Sequence, residues 1–311
     1  DWTNREPLLG YVNAIESNKY VKPNNNVIDV LINAFENPET PYFLILDEMN
    51  LSHVERYFAD FLSVMESKEP IQLHEGGFEN KWESDSGGVK VPGEIKLPNN
   101  LYIIGTVNID ETTYMFSPKV LDRANVIEFR VEKNEIENFL KNPGKPDLKN
   151  LESKGANTAI DFVKQTRENK KYSKSKKLKN ILLDFFDKLK DVGAEFGYRT
   201  ASEIMDLAAN IEDFTDNEGG VWPPEKISDT AIMQKLLPKL HGSRKKLGPV
   251  LESLAELCIE NSDAVDLKKL LSGEDEIEEL EKFVKYPESL EKIIRMYKRL
   301  IQNGFTSFTE A

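Results

Sequence analysis

Five consecutive apolar residues, Tyr42 to Leu46, run without alternation and stop at two carboxylates, Asp47 and Glu48. An unbroken run of this kind suits a fully buried strand in a parallel sheet, whose ligand sites lie at the carboxyl ends of the strands. Asp47 and Glu48 are therefore expected on a site-bearing rim. Ser52 and Glu55 follow at the spacing of an S-x-x-E capping box, and Val54, Tyr57, Phe58, Phe61, Leu62 and Met65 then recur at helical spacing, which predicts a helix over 53–66. A second apolar run, Leu101 to Val107, ends on Asn108. Two neighbouring strands would then present Asp47, Glu48 and Asn108 together.

The same reading predicts a helix over 26–36 and a strand over Val126–Val131. Between about 70 and 99 a glycine-rich insert holds two short strands, around Ile71–Leu73 and Val89–Val91, read as a β-hairpin. Beyond Glu135 strand signals vanish. Helical patterns appear at about 156–172, 177–192, 200–213, 229–241, 247–261 and 286–303, the last with Leu290, Ile293, Ile294, Tyr297, Leu300 and Ile301 on one face. The segment 142–146, Asn-Pro-Gly-Lys-Pro, reads as a boundary loop. The expected organisation is an α/β core over 1–133, a helical linker or insertion over 134–195 and a helical lid over 196–311.

Charge narrows the function. A net charge of -13 argues against a protein that coats nucleic acid generally, because phosphate binding needs a surplus of Lys and Arg on the surface. Basic residues do crowd 164–179 and Arg244–Lys246, where a solvated helix end or linker explains them. Cys258 lies on an apolar helix face with Leu251, Leu254 and Leu257 and reads as core, and His53, His74 and His241 have no metal-ligand spacing. With no apolar run long enough to span a membrane and no signal-peptide pattern, a cytoplasmic location is expected.

Adjacent carboxylates at a strand end suit a nucleoside triphosphatase, one holding Mg²⁺ and the other orienting the attacking water. A strand that stops at a solvated acidic turn has the same local sequence. The order of motifs separates the two readings. LILDEMNL (44–51), IIGTVN (103–108), SPKVLDRANVIEF (117–129) and FGYRTASEI (196–204) resemble, in that order, the Walker B, sensor-1, arginine-finger and sensor-2 segments of AAA+ ATPases of the McrB-like and MoxR-like branch. DTAIMQKLLPKLHG (229–242) looks like the lid helix of McrB-like proteins.

This resemblance implies a parallel-sheet P-loop NTPase core followed by an all-helical lid. It implies that Asp47 holds Mg²⁺, that Glu48 acts on the water, that Asn108 senses it, and that Arg123 and Arg199 meet the phosphates of ATP or GTP. Arg123 would act in trans within a homo-oligomeric ring. A local Asp122–Arg123 ion pair and an Arg199–Glu203 pair are the structural alternatives for the two arginines. The activity implied is that of the motor subunit of a modification-dependent restriction or anti-phage system, with a McrC-like nuclease and DNA as partners. A MoxR-like ATPase that remodels protein or metal sites, and a non-hydrolysing AAA+ scaffold or DNA-binding module, are the alternatives.

Two departures accompany the resemblance. No G-x-x-x-x-G-K-[ST] occurs in the 311 residues, so the Walker A strand is expected upstream and this chain alone is expected to be inactive. At the McrB signature M-N-T-x-x-R-S the chain reads Val107-Asn108-Ile109-Asp110-Glu111-Thr112-Thr113, which keeps the asparagine and replaces the Thr and Arg.

Overall fold

A computed structural model describes residues 2–85, 87–108, 114–144, 148–167, 172–191, 193, 195–218, 222–260, 265–273 and 282–311, with the side chains of 151, 156 and 214–218 outside the description. The chain is a mixed α/β protein with small sheets and a helical C-terminal half. It divides into two units, one made of 1–120 and 128–169, the other of 121–127 and 170–311.

The first unit runs α1 (Glu6–Leu9), β1 (Tyr11–Val12), β2 (Lys19–Val21), α2 (Val27–Glu36), β3 (Tyr42–Leu46), α3 (Val54–Tyr57), α4 (Ala59–Ser67), β4 (Ile71–Gln72), β5 (Lys81–Ser84), β6 (Val91–Pro92), β7 (Glu94–Ile95) and β8 (Leu101–Gly105). The turn α5 (Pro118–Leu121) leads out of it, and α6 (Lys133–Lys141) and α7 (Ala159–Arg167) belong to it. The two apolar runs pair in parallel and in step, from Tyr42 beside Leu101 to Leu46 beside Gly105. This register carries Asp47 to the level of Thr106.

Burial in β3 alternates, which corrects the expectation of a strand buried on both faces. Leu44 and Leu46 enter the core with Ile28, Leu31, Phe61 and Leu62, while Phe43 and Ile45 are exposed. The core of this unit covers one face. On the other, α7 brings Phe162 against Phe43 and Tyr102, and Ile45 and Ile104 stay open.

Four further local expectations change. Helix 53–66 forms as two pieces that meet at Phe58, and the capping box does not form: the N-cap position falls on His53, and the Ser52 hydroxyl accepts the Trp2 amide from a chain segment fifty residues away. The insert is two nested antiparallel ladders, β4 with β7 and β5 with β6, so Ile71 pairs with Ile95 and not with the 89–91 stretch. Val126–Val131 forms no strand and joins none among the described residues. Ile127, Phe129 and Val131 are 62%, 93% and 70% exposed, so this alternation is not buried against a core, while Val126 packs on the core of the second unit with its amide on the Gln234 carbonyl.

The second unit contains α8 (Lys176–Lys190), α9 (Tyr198–Glu218), α10 (Pro224–Ala231), β9 (His241–Ser243), α11 (Arg244–Leu257), α12 (Leu267–Ser272), α13 (Pro287–Asn303) and β10 (Phe305–Ser307), which pairs with β9. Its core is leucine-rich, with Leu182, Phe185, Leu251, Leu254, Leu290, Ile293 and Leu300 contributed at the helical spacings read from the sequence. Cys258 is fully buried there, and burial pushes its thiol well above the ordinary range, as suits a packing residue.

One polar contact organises this core. The α13 N-terminus has no cap of its own, and the buried Asp229 of α10 supplies it. Asp229 Oδ2 accepts the Glu288 amide at 2.9 Å and Oδ1 the Ser289 amide at 2.8 Å, with the Ser289 hydroxyl donating to Oδ1 at 2.5 Å. Burial raises the Asp229 carboxyl above its usual range, and the Ser289 and Glu288 hydrogen bonds oppose that rise. Asp229→Ala is expected to cost about 2–3 kcal/mol, since it strips the cap and orphans buried donors. Urea unfolding reads this directly, and a loss below about 0.5 kcal/mol would show that the cap is dispensable.

Candidate active site

The rim is built where β3 and β8 end. Beyond Leu46 the chain must leave the sheet within one residue, and it does so through Glu48 in the left-handed conformation (φ 49°, ψ 47°). For a residue with a side chain this costs on the order of 1–2 kcal/mol, so surrounding contacts have to hold it. They do. The Glu48 amide donates to Thr106 Oγ1 at 2.9 Å, its carboxylate accepts from Asn108 Nδ2 at 2.9 Å, and the next amide, Met49, donates to the Thr106 carbonyl at 2.9 Å.

Thr106 serves both acids. While accepting the Glu48 amide, its hydroxyl donates to Asp47 Oδ1 at 2.5 Å. A short 3₁₀ turn, Met49–Leu51, follows, and the Tyr57 hydroxyl anchors it by donating to the Met49 carbonyl at 2.9 Å; burial pushes that phenol up to about 12. Asn50, 3% exposed, donates from its side-chain amide to the Asn108 carbonyl at 3.1 Å, and its main-chain carbonyl accepts the Tyr114 amide. The Met49 side chain packs over Gly105, where a Cβ would lie 2.5 Å from its sulfur, so any larger residue there would make the thioether move.

Asp47, Glu48 and Asn108 are thus brought together in the first unit, exposed at the strand ends, as the apolar runs suggest. Thr106, Asn50 and Tyr57 are additions to the sequence reading. The signal for Thr106 was its place in the run, one residue past β8, at the level of Asp47. Residues 109–113, where the signature departs, lie outside the described residues.

Arg123 and Arg199 fall in the second unit. Arg123 sits in the turn after α5, half-buried, and Arg199 in the first turn of α9. The acids proposed as their local partners have lysine partners here. Asp122 Oδ1 pairs with Lys239 Nζ at 2.5 Å, and Glu203 pairs with Lys235. Lys239 also donates to Thr200 Oγ1 at 2.7 Å, so one lysine joins the residue before Arg123 to the residue after Arg199.

Among the described residues no group of three or more His, Cys, Asp or Glu side chains is arranged to hold a metal ion. Two adjacent exposed carboxylates, one oriented by a threonine hydroxyl, fit a different case: a Mg²⁺ ion that keeps several waters and arrives with phosphates. Among the described residues no helix is long and apolar enough to cross a membrane.

A family model described as Domain of unknown function (DUF8727) matches residues 147–305, just over half of the chain. That stretch holds Arg199, Lys235 and Lys239. No curated protein and no solved structure matches the chain.

Proposed function

We propose, from the premise that this chain belongs to the family described as Domain of unknown function (DUF8727), that the rim of Asp47, Glu48 and Asn108 is the hydrolytic part of a nucleoside triphosphatase working on ATP or GTP in a ring. The observation that carries the reading is the backbone of Glu48. A non-glycine residue held left-handed at a strand end, with its amide on Thr106 and its carboxylate on Asn108, is strain kept at the point where a reacting water would be oriented.

In this reading Asp47, oriented by the Thr106 hydroxyl, is the carboxylate that meets Mg²⁺. Bound with the nucleotide, the ion would neutralise charge on the phosphates. Glu48 accepts the proton of the attacking water, and Asn108 fixes which way that carboxylate points. Arg123 and Arg199 supply positive charge to the transferring phosphoryl group, Arg123 toward the neighbouring subunit. The 311 residues contain no G-x-x-x-x-G-K-[ST], so hydrolysis also needs a phosphate-gripping loop from a further segment or subunit.

Thr106→Val in the full-length protein tests the site. It removes the hydroxyl that serves Asp47 and Glu48 while keeping the side-chain shape, and is expected to lower turnover about tenfold or more, since two hydrogen bonds of about 0.5–1.5 kcal/mol each are lost. Mg²⁺-dependent hydrolysis that ignores the substitution would place the chemistry elsewhere, and a full-length protein that hydrolyses neither ATP nor GTP would remove the proposal.

A further inference from the structure

The turn that carries Arg123 is fastened on both sides by a short stretch of the second unit. Before Arg123, the Asp122 carboxylate is paired with Lys239. After it, the Ala124 carbonyl accepts from Lys235 Nζ at 2.9 Å, and two residues further the Val126 amide donates to the Gln234 carbonyl at 3.1 Å. Lys235 is 3% exposed and is also paired with Glu203 of α9; Lys239 is also bonded to the buried Thr200 of α9. Each lysine therefore ties the Arg123 turn to the helix whose first turn holds Arg199.

The local backbone makes this possible. α10 continues past Ala231 as a π-helical turn, Ile232–Leu236, and then a 3₁₀ turn, Leu237–Lys239. A π turn is a rare irregularity, frequent at functional sites. Here it delivers Gln234 and Lys235 together to the Arg123 segment. A buried ammonium is tolerated only when paired and hydrogen-bonded, and Lys235 meets a carboxylate and a carbonyl at once.

We propose that Lys235 and Lys239 are positioning residues, which hold the Arg123 turn at a set distance from Arg199 so that the two arginines move as one piece with the helical unit. The role rests on the reading of these arginines as phosphate-facing groups. It adds a consequence to that reading: a shift of α9 on engagement of nucleotide by Arg199 redirects Arg123 toward the neighbouring subunit's nucleotide.

The test uses the full-length protein with Lys239→Met, Lys239→Arg and Lys235→Met, read by amide hydrogen exchange and by steady-state hydrolysis. Lys239→Met is expected to speed exchange at the Val126 amide at least about tenfold without changing α11 or α13. It is also expected to lower kcat about tenfold with KM within about twofold, as a misaimed group would. Lys239→Arg should restore most of both. In an Arg123→Ala background Lys239→Met should cost no further kcat, since the residue it positions is gone. Unchanged exchange at 124–126 overturns the clamp, whichever lysine is replaced. Faster exchange with unchanged kcat, or an equal additional loss in the Arg123→Ala background, overturns the positioning role. If Arg123→Ala alone leaves kcat intact, the reading of Arg123 falls and this role with it, and the exchange data still report whether the lysines hold the turn.

Discussion

Glu48→Gln is expected to stop hydrolysis by the full-length protein, by on the order of a hundredfold or more, while nucleotide affinity survives. The substitution is close to isosteric. A glutamine oxygen can accept from Asn108 Nδ2 as the Glu48 carboxylate does, and the left-handed backbone with its amide on Thr106 asks nothing of the side-chain charge. Asp47 and its bond from Thr106 are untouched, so the group assigned to Mg²⁺ remains. What is lost is the capacity to take a proton from water. Single-turnover hydrolysis and equilibrium nucleotide binding, measured side by side, separate the two. Turnover within about twofold of wild type would remove Glu48 from the mechanism.

Arg123→Ala is expected to lower turnover about a thousandfold or more, the scale on which arginine fingers act, without unfolding the protein. The turn is also held by the Asp122 carboxylate on Lys239, the Ala124 carbonyl on Lys235 and the Val126 amide on Gln234, all of which Arg123→Ala leaves in place. Because the finger acts on a neighbour's nucleotide, rings mixed from Arg123→Ala and Glu48→Gln subunits should recover part of the activity that each parent lacks. An interface with a wild-type Arg123 facing a wild-type Glu48 forms in the mixture and in neither parent. Mixed rings that co-assemble and stay as inactive as the parents would show that Arg123 is structural.

Two kinds of residue separate in their legibility. Asp47, Glu48 and Asn108 could be read because each ends an apolar run, and an apolar run is a local property that survives into the fold whenever two such runs pair in step. Thr106 is not legible in the sequence because its side chain is ordinary for a strand end; its bond to Asp47, fifty-nine residues away, exists only in the fold. Lys235 and Lys239 lie in the stretch 229–242, whose pattern is helical and gives neither lysine a role. Their work depends on a π turn and on contacts with Asp122 and Ala124, more than a hundred residues earlier.

The chain's own sequence determined the elements whose period is short and repeated: the strands at 42–46 and 101–105, the helices at 27–36, 176–190, 244–257 and 287–303, and the buried place of Cys258. Burial of one helix stripe or one strand run needs only that some apolar surface lie opposite, and many arrangements satisfy that. Tertiary structure alone decided which partner each element took. It opened one face of β3, nested the insert's ladders, left Val126–Val131 without a strand, diverted Ser52 from its capping box to Trp2, and turned Glu48 left-handed. Each of these outcomes is a choice among competing partners far apart along the chain, settled by register and by which polar groups would otherwise be buried unpaired.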